Sequence, residues 1–308
     1  MNKKSKFRER NQCINCGSSD LKVLSSGYFG HEPLRSRIEN APWGESPLPY
    51  IENEKWIFVR CNKCAQAFHK RILTPEWNEI RFSKWMTQEA IKTFEEPTNT
   101  PEHHFNRAKF LTSHILRIEK NTRKLRGRGP VRVLDFGCGW GEFLAICERF
   151  GFVCCGVDRS SARRQNENNV KIFPEIEDVK KINDLGQGFH VATLFQVLEH
   201  LDSPLEILEA LRNLLVPGGI LIIETPDCTD VVNIKDESDY WKIHPLDHIN
   251  AFTPSTLRNI AVKAGFQPIN KDVVYITSDP KNVIINEIKR FVRRIIKKPK
   301  TQQYFCKI

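Results

Sequence analysis

Apolar positions change their period twice along this chain. Over residues 11–73 the runs are short and strand-like, Leu21–Leu24 and Trp56–Arg60. Between them Gly27–Tyr50 carries Pro33, Pro42, Pro47 and Pro49, which predicts a long loop. Residues 74–129 read as a connector followed by a helix. Thr100 then Pro101 is a helix start, because a capping hydroxyl precedes a residue with preset φ and no N–H to waste. Phe105, Ala108, Leu111, Ile115 and Ile118 follow at helical spacing. From residue 130 to residue 308 short apolar runs alternate with amphipathic stretches: VRVLDF, EFLAICERF, FVCCGVD, VKIF, FHVATLFQVL, LEILEALRNLL and GGILIIETP. Near-continuous apolar strands alternating with helices predict an α/β domain, its mostly parallel sheet covered by helices on both faces.

Composition narrows the class. Hydrophobic residues make up 40% and charged residues 27%, which predicts a packed core. No apolar run reaches the roughly 18 residues of a membrane span. The start, MNKKSKFRER, leads into polar residues, so no secretory signal is read there and a cytoplasmic protein is expected. The net charge of +10 gathers in the first ten residues, in Arg117–Arg132 and in Lys289–Lys300. Such runs suit nucleic acid, anionic lipid or acidic substrates, and more often form solvated faces. In residues 281–298, KNVIINEIKRFVRRIIKK, Ile284, Ile288, Phe291 and Ile295 make one face of an amphipathic basic helix. That helix either packs on the sheet or makes peripheral contact with a membrane.

Of ten cysteines, four are paired near the start of the chain and six are scattered. Cys138, Cys147, Cys154 and Cys155 fall in apolar elements and read as small buried hydrophobes. Cys13 and Cys16, with Cys61 and Cys64, form two Cys-x-x-Cys pairs, each able to chelate from one tight turn. Four thiolates complete a closed tetrahedral structural zinc site, which stabilises a small fold and does no chemistry. His69 is a less favoured substitute ligand.

The first strand of the α/β region runs into Asp135-Phe-Gly137-Cys138-Gly139-Trp-Gly141 and then into a helix. Glycines let a backbone turn tightly and approach a ligand, and the helix start offers free N–H groups. The next strand ends at Asp158, twenty-one residues after Gly137, where a carboxylate can accept the hydroxyls of an adenosine ribose.

At these residues the chain resembles the class I S-adenosylmethionine-dependent methyltransferases. VLDFGCGWGEF is similar to their first motif and GVD, ending at Asp158, to their second. LFQVLEHLDSPLEILEALRNLLVPGGILIIETPD resembles their fourth strand, next helix and fifth strand. HINAFTPSTLRNIAVKAGF resembles the subgroup of ubiquinone-type O-methyltransferases and bacterial sugar methyltransferases. The resemblance covers roughly residues 130–275 and implies a Rossmann-like, seven-stranded sheet whose last strand would lie at Gln302–Ile308. It implies S-adenosylmethionine as cofactor, with Asp135, Gly137, Cys138, Gly139 and Gly141 around its amino-acid end. Asp158 would hold the ribose and Gln196 would face the methionine part, with Asp178 a weaker candidate near the adenine. The cysteine pairs resemble zinc-binding N-terminal domains attached to some sugar methyltransferases.

Two histidine-bearing stretches follow strand ends, where open α/β sheets bind ligands. One is Glu199-His200; the other contains His244 and His248. Histidine suits a general base because its pKa lies near neutrality. His248 is the first candidate and His244 the second. Some relatives hold a divalent cation with Glu-x-x-Glu-His; here Gln196-Val-Leu-Glu199-His200 has an amide at the first position, which weakens a hard-cation site. The acceptor implied is a small hydroxylated molecule such as a saccharide or glycan precursor. An RNA methyltransferase gripping nucleic acid with the zinc module, and a non-enzymatic zinc scaffold, are the alternatives.

Overall fold

The computed structural model describes residues 5–95, 100–125, 129–160, 164, 170–179, 181, 188–269, 285, 288 and 301–308. The chain divides into two compact units. One comprises residues 1–99, 196–205 and 225–260; the other comprises 100–195, 206–224 and 261–308. The boundaries differ from the consecutive division 11–73, 74–129 and 130–308. Residues 225–260 come from the stretch expected in the α/β domain, yet they bury their apolar side chains in the first unit. Cys228, Val231, Ile234, Tyr240, Ile243 and Leu246 share one core with Phe29, Leu34, Ile38, Phe58 and Trp85. A ribbon of some sixty residues has too little apolar surface of its own to offset its ordering entropy, so borrowed segments complete it.

The first unit is built on a four-stranded antiparallel sheet. Its strands are β2 (Leu21–Tyr28), β3 (Lys55–Cys61), β4 (Ala67–His69) and β11 (Asn250–Ala251), in the order β11-β4-β3-β2. A short pair, β1 (Phe7–Glu9) with β5 (Arg71–Leu73), lies in the same unit. The stretch Gly27–Tyr50 is not a plain loop. It contains the helices Leu34–Asn40 and Leu48–Ile51, which bury Leu34, Ile38, Leu48 and Ile51. Pro33 and Pro47 immediately precede these helices and Pro49 lies in the first turn of the second, where a fixed φ and a missing N–H cost little.

The second unit holds a seven-stranded, mostly parallel sheet of Rossmann-like type. Its strands are β6 (Arg132–Phe136), β7 (Val153–Val157), β8 (Ile172–Phe173), β9 (Phe189–Phe195), β10 (Leu215–Glu224), β12 (Phe266–Ile269) and β13 (Gln302–Lys307). The order is β12-β13-β10-β9-β6-β7-β8, with β13 antiparallel to both its neighbours. The central strands are apolar on both faces: Val133, Leu134, Val191, Ala192 and Leu194 are fully buried. The expected helix is present over Pro101–Thr122, and Ile115 and Ile118 pack with Val133 and Val191. The final strand at Gln302 also forms as expected. The amphipathic basic helix expected over 281–298 lies outside the described residues, apart from Ile285 and Ile288. No helix among the described residues is long and apolar enough to cross a membrane.

Candidate active site

The glycine loop joins β6 to the helix Glu142–Arg149, at the carboxyl end of the parallel strands. Gly137, Gly139 and Gly141 all have positive φ, the conformation that excludes most side chains. A Cβ on Gly139 would project into open space, so the loop leaves a cradle there. The Gly139 N–H donates to Asp158 Oδ2 at 3.0 Å, and Ser160 N–H donates to Asp158 Oδ1 at 2.9 Å. The two expected cofactor elements are therefore in direct contact. Asp135 lies buried below the loop and accepts a 2.6 Å hydrogen bond from Thr193 Oγ1. Burial pushes its carboxyl up to about 7, against the opposing pull of Thr193.

Cys138 plays a different part from the glycines. Its N–H and that of Gly137 donate to Val157 O, at 3.2 and 2.7 Å, so neither is free for a ligand. The thiol is raised by burial. A Cβ on Gly156, in β7, would overlap the Cys138 sulfur. Gly156 thus lets the loop lie flat on the sheet, a role hinted at by a glycine inside an otherwise apolar strand. Gly156→Val should displace the loop and weaken S-adenosylhomocysteine binding, with the far-UV circular dichroism little changed. Wild-type affinity in that variant would contradict this reading.

The candidate histidines His200, His244 and His248 belong to the first unit. Gln196, directly after β9, takes a positive φ of 57° and turns the chain into the 3₁₀ turn Leu198–His200. His200 Nδ1 lies 3.1 Å from Asp247 Oδ1 and 3.0 Å from the Asp247 carbonyl. Arg81 makes a second ion pair to Asp247 Oδ1, at 3.1 Å, and also donates to Leu246 O. The His200 and His248 rings meet edge-to-face with centroids 4.7 Å apart, and Asp247 Oδ2 is 3.9 Å from His248 Nε2. Glu199 is buried in the same turn, and Glu199, His200 and His248 bring one ligand-capable atom each within 4.8 Å of one another.

Electrostatics separates the two rings. Burial lowers His200, but the Asp247 carboxylate outweighs it and lifts His200 to about 9. Burial, the neighbouring His200 and Arg81 bring His248 down to about 4 despite Asp247. Asp247 is half-buried, and His200 and Arg81 hold it well below the usual carboxylate range. His244 stands apart. Leu246 N–H donates to its Nδ1 at 3.1 Å, its Nε2 meets Tyr240 Oη at 2.7 Å, and burial lowers it to about 3. Both nitrogens serve the protein interior, so His244 has no lone pair to offer an acceptor. Sequence reasoning missed Arg81 and Asp247, which supply the charge that distinguishes His200 from His248.

Residues 103–271, more than half of the chain, match the family described as a methyltransferase domain. The chain belongs to this family. The ubiquinone biosynthesis O-methyltransferase of Caulobacter sp. (strain K31) is 30% identical over 135 residues, 41% of this chain and 54% of that protein. The enzyme of the same description from Dinoroseobacter shibae is 24% identical over 164 residues, covering 48% and 66%. This chain therefore spans about half to two thirds of the length of these curated relatives. A crystal structure of an S-adenosylmethionine-dependent methyltransferase from Archaeoglobus fulgidus is similar at 23% identity and a TM-score of 0.39, covering 70% of this chain and 97% of that one.

In this methyltransferase the four paired cysteines converge. Cys13 and Cys64 sulfurs are 3.5 Å apart, as are those of Cys16 and Cys61, and all four lie within 4.8 Å of one another. Four thiolates at about 2.3 Å from a zinc ion stand about 3.8 Å apart, so the spacing fits a tetrahedral site. Both turns are shaped for it: Gly17 and Ala65 take positive φ, and their N–H groups donate to Cys13 O and Cys61 O at 2.9 Å. His69 is not a ligand here; its Nε2 is 2.7 Å from Ile243 O.

Proposed function

We infer that this methyltransferase uses S-adenosylmethionine and methylates oxygen on a small hydroxylated acceptor. The observation that carries this is the Asp135–Gly141 loop joined through Gly139 to Asp158. The juxtaposition of a buried acid, a glycine cradle and a strand-end carboxylate supports a site for a nucleoside bearing an amino acid. The names of the curated relatives favour oxygen as the acceptor atom. A saccharide acceptor rests on the resemblance of the motifs alone.

S-adenosylmethionine, when bound, supplies an electrophilic sulfonium methyl group. The protein's task is then alignment and proton handling. Asp158 receives the ribose hydroxyls while its bond to Gly139 keeps the loop in register. Asp135 faces the cationic amino-acid end. His248, neutral above about pH 4, accepts the acceptor hydroxyl's proton, and the His200 imidazolium beside it stabilises the developing oxyanion. We read this pair as proton-handling rather than cation-binding, because Arg81 adds positive charge and Gln196 replaces an acid. The four cysteines hold a structural zinc.

Two measurements follow. With methyl-labelled S-adenosylmethionine, label should appear on oxygen of a hydroxylated acceptor drawn from free sugars, lipid-linked saccharides and catechols. Label appearing only on nitrogen, carbon or RNA would overturn the oxygen assignment. Cofactor affinity should also depend on pH through Asp135. Its raised pKa means that below about 7 the carboxyl is protonated in the free protein, and binding the cationic ligand must expel that proton. Affinity should fall about tenfold per pH unit as pH drops below this value. An affinity flat between pH 8 and pH 5.5 would remove Asp135 from the site.

A further inference from the structure

Arg10 is a charged residue that lies buried, and its bonds run to one place. Its Nε and Nη2 donate to His69 O at 3.1 and 2.7 Å. Nη2 also donates to Ile249 O at 2.8 Å, and Nη1 donates to Asn250 Oδ1 at 2.8 Å. Its guanidinium lies 5.0 Å from the Phe68 ring centroid, and its own N–H donates to Lys70 O at 2.8 Å. Asn250 is equally buried and passes the connection on. Its Nδ2 donates to Leu201 O at 2.7 Å and to Leu198 O at 3.3 Å. Leu198 and Leu201 flank Glu199 and His200, and Ile249 follows His248.

We propose that Arg10 and Asn250 form a clamp that sets the spacing of His200 and His248, making both of them positioning residues for the proton-handling pair. One side chain grips the backbone next to His248, and the other grips the turn that carries His200. Beside the direct contact of His200 with Asp247, the Asn250 amide makes a second link between these two segments. Arginine suits the position because a planar fork reaches three acceptors in fixed directions, which a lysine ammonium does not. Asparagine suits position 250 because it accepts on one side and donates twice on the other. The segment just before Cys13 thereby contributes to the site and is more than a metal-stapled cap. This rests on the reading of His200 and His248 given above.

The test is the ring-to-ring nuclear Overhauser signal between His200 and His248 in full-length protein carrying labelled histidine. Rings with centroids 4.7 Å apart give that signal in the wild type. In Asn250→Ala and in Arg10→Lys it should be lost, while circular dichroism, zinc content and S-adenosylhomocysteine affinity stay at wild-type values. Persistence of the signal in both folded variants overturns the clamp. Loss of circular dichroism in both variants also overturns it, leaving Arg10 and Asn250 as stability residues alone. None of these outcomes depends on methyl transfer, so failure of the clamp and failure of the functional reading are separable.

Discussion

Exchanging His248 for glutamine should lower kcat by about 10²–10⁴-fold, the usual worth of a positioned general base. S-adenosylhomocysteine affinity should not change, because the site proposed for it is the Asp135–Asp158 loop and not His248. Glutamine keeps size and hydrogen bonding but cannot take a proton at neutral pH. The pH profile gives a second signature. In the free enzyme kcat/KM should rise as His248 loses its proton near pH 4 and fall as His200 loses its own near pH 9. The sign follows from roles: the base must be neutral and the oxyanion partner must be charged. His244→Gln should leave both limbs in place, since the His244 nitrogens face Tyr240 and Leu246. A His248→Gln enzyme with wild-type kcat would remove His248 from the chemistry.

The second large effect concerns the metal. Purified protein should carry zinc, and chelation or Cys61→Ser should unfold the first unit. Structural zinc sites have apparent binding free energies of about 10–16 kcal/mol, and that energy is folding energy. A typical domain is stable by about 5–15 kcal/mol, so loss of the metal exceeds what the unit holds in reserve. Five of the six tryptophans, Trp43, Trp56, Trp77, Trp85 and Trp241, belong to this unit. Unfolding should therefore red-shift the fluorescence strongly, since Trp56 and Trp85 are buried in its core. An unshifted spectrum after complete chelation would contradict a structural role for the metal.

The elements that carry periodic signals were legible in the sequence. The β6 run, the glycine loop, the strand end at Asp158 and the helix start at Pro101 all follow from apolar spacing and local backbone rules. The cysteine pairs were legible because chelation requires two ligands from one turn. What was not legible depends on contacts distant in sequence. Residues 225–260 show no pattern that assigns them to the core of Phe29 and Trp85, because burial partners are not encoded in local period. Arg81 and Asp247 lie 166 positions apart and acquire meaning only when their ion pair forms. Arg10 looked like one more charge in a basic N-terminal run, where most such charges are solvated. The sequence ranks His248 ahead of His244 without a physical reason that divides them; the hydrogen bonds of His244 to Tyr240 and Leu246 supply one.

The central claim is that the Asp135–Asp158 constellation is a binding site for S-adenosylmethionine. Calorimetry of S-adenosylhomocysteine with wild-type protein and with Asp158→Ala tests it most directly. The prediction is binding by the wild type and a loss of at least about tenfold, about 1.4 kcal/mol, in the variant. Wild-type protein that binds neither S-adenosylhomocysteine nor S-adenosylmethionine would contradict the claim and leave a zinc-stapled scaffold as the reading to pursue.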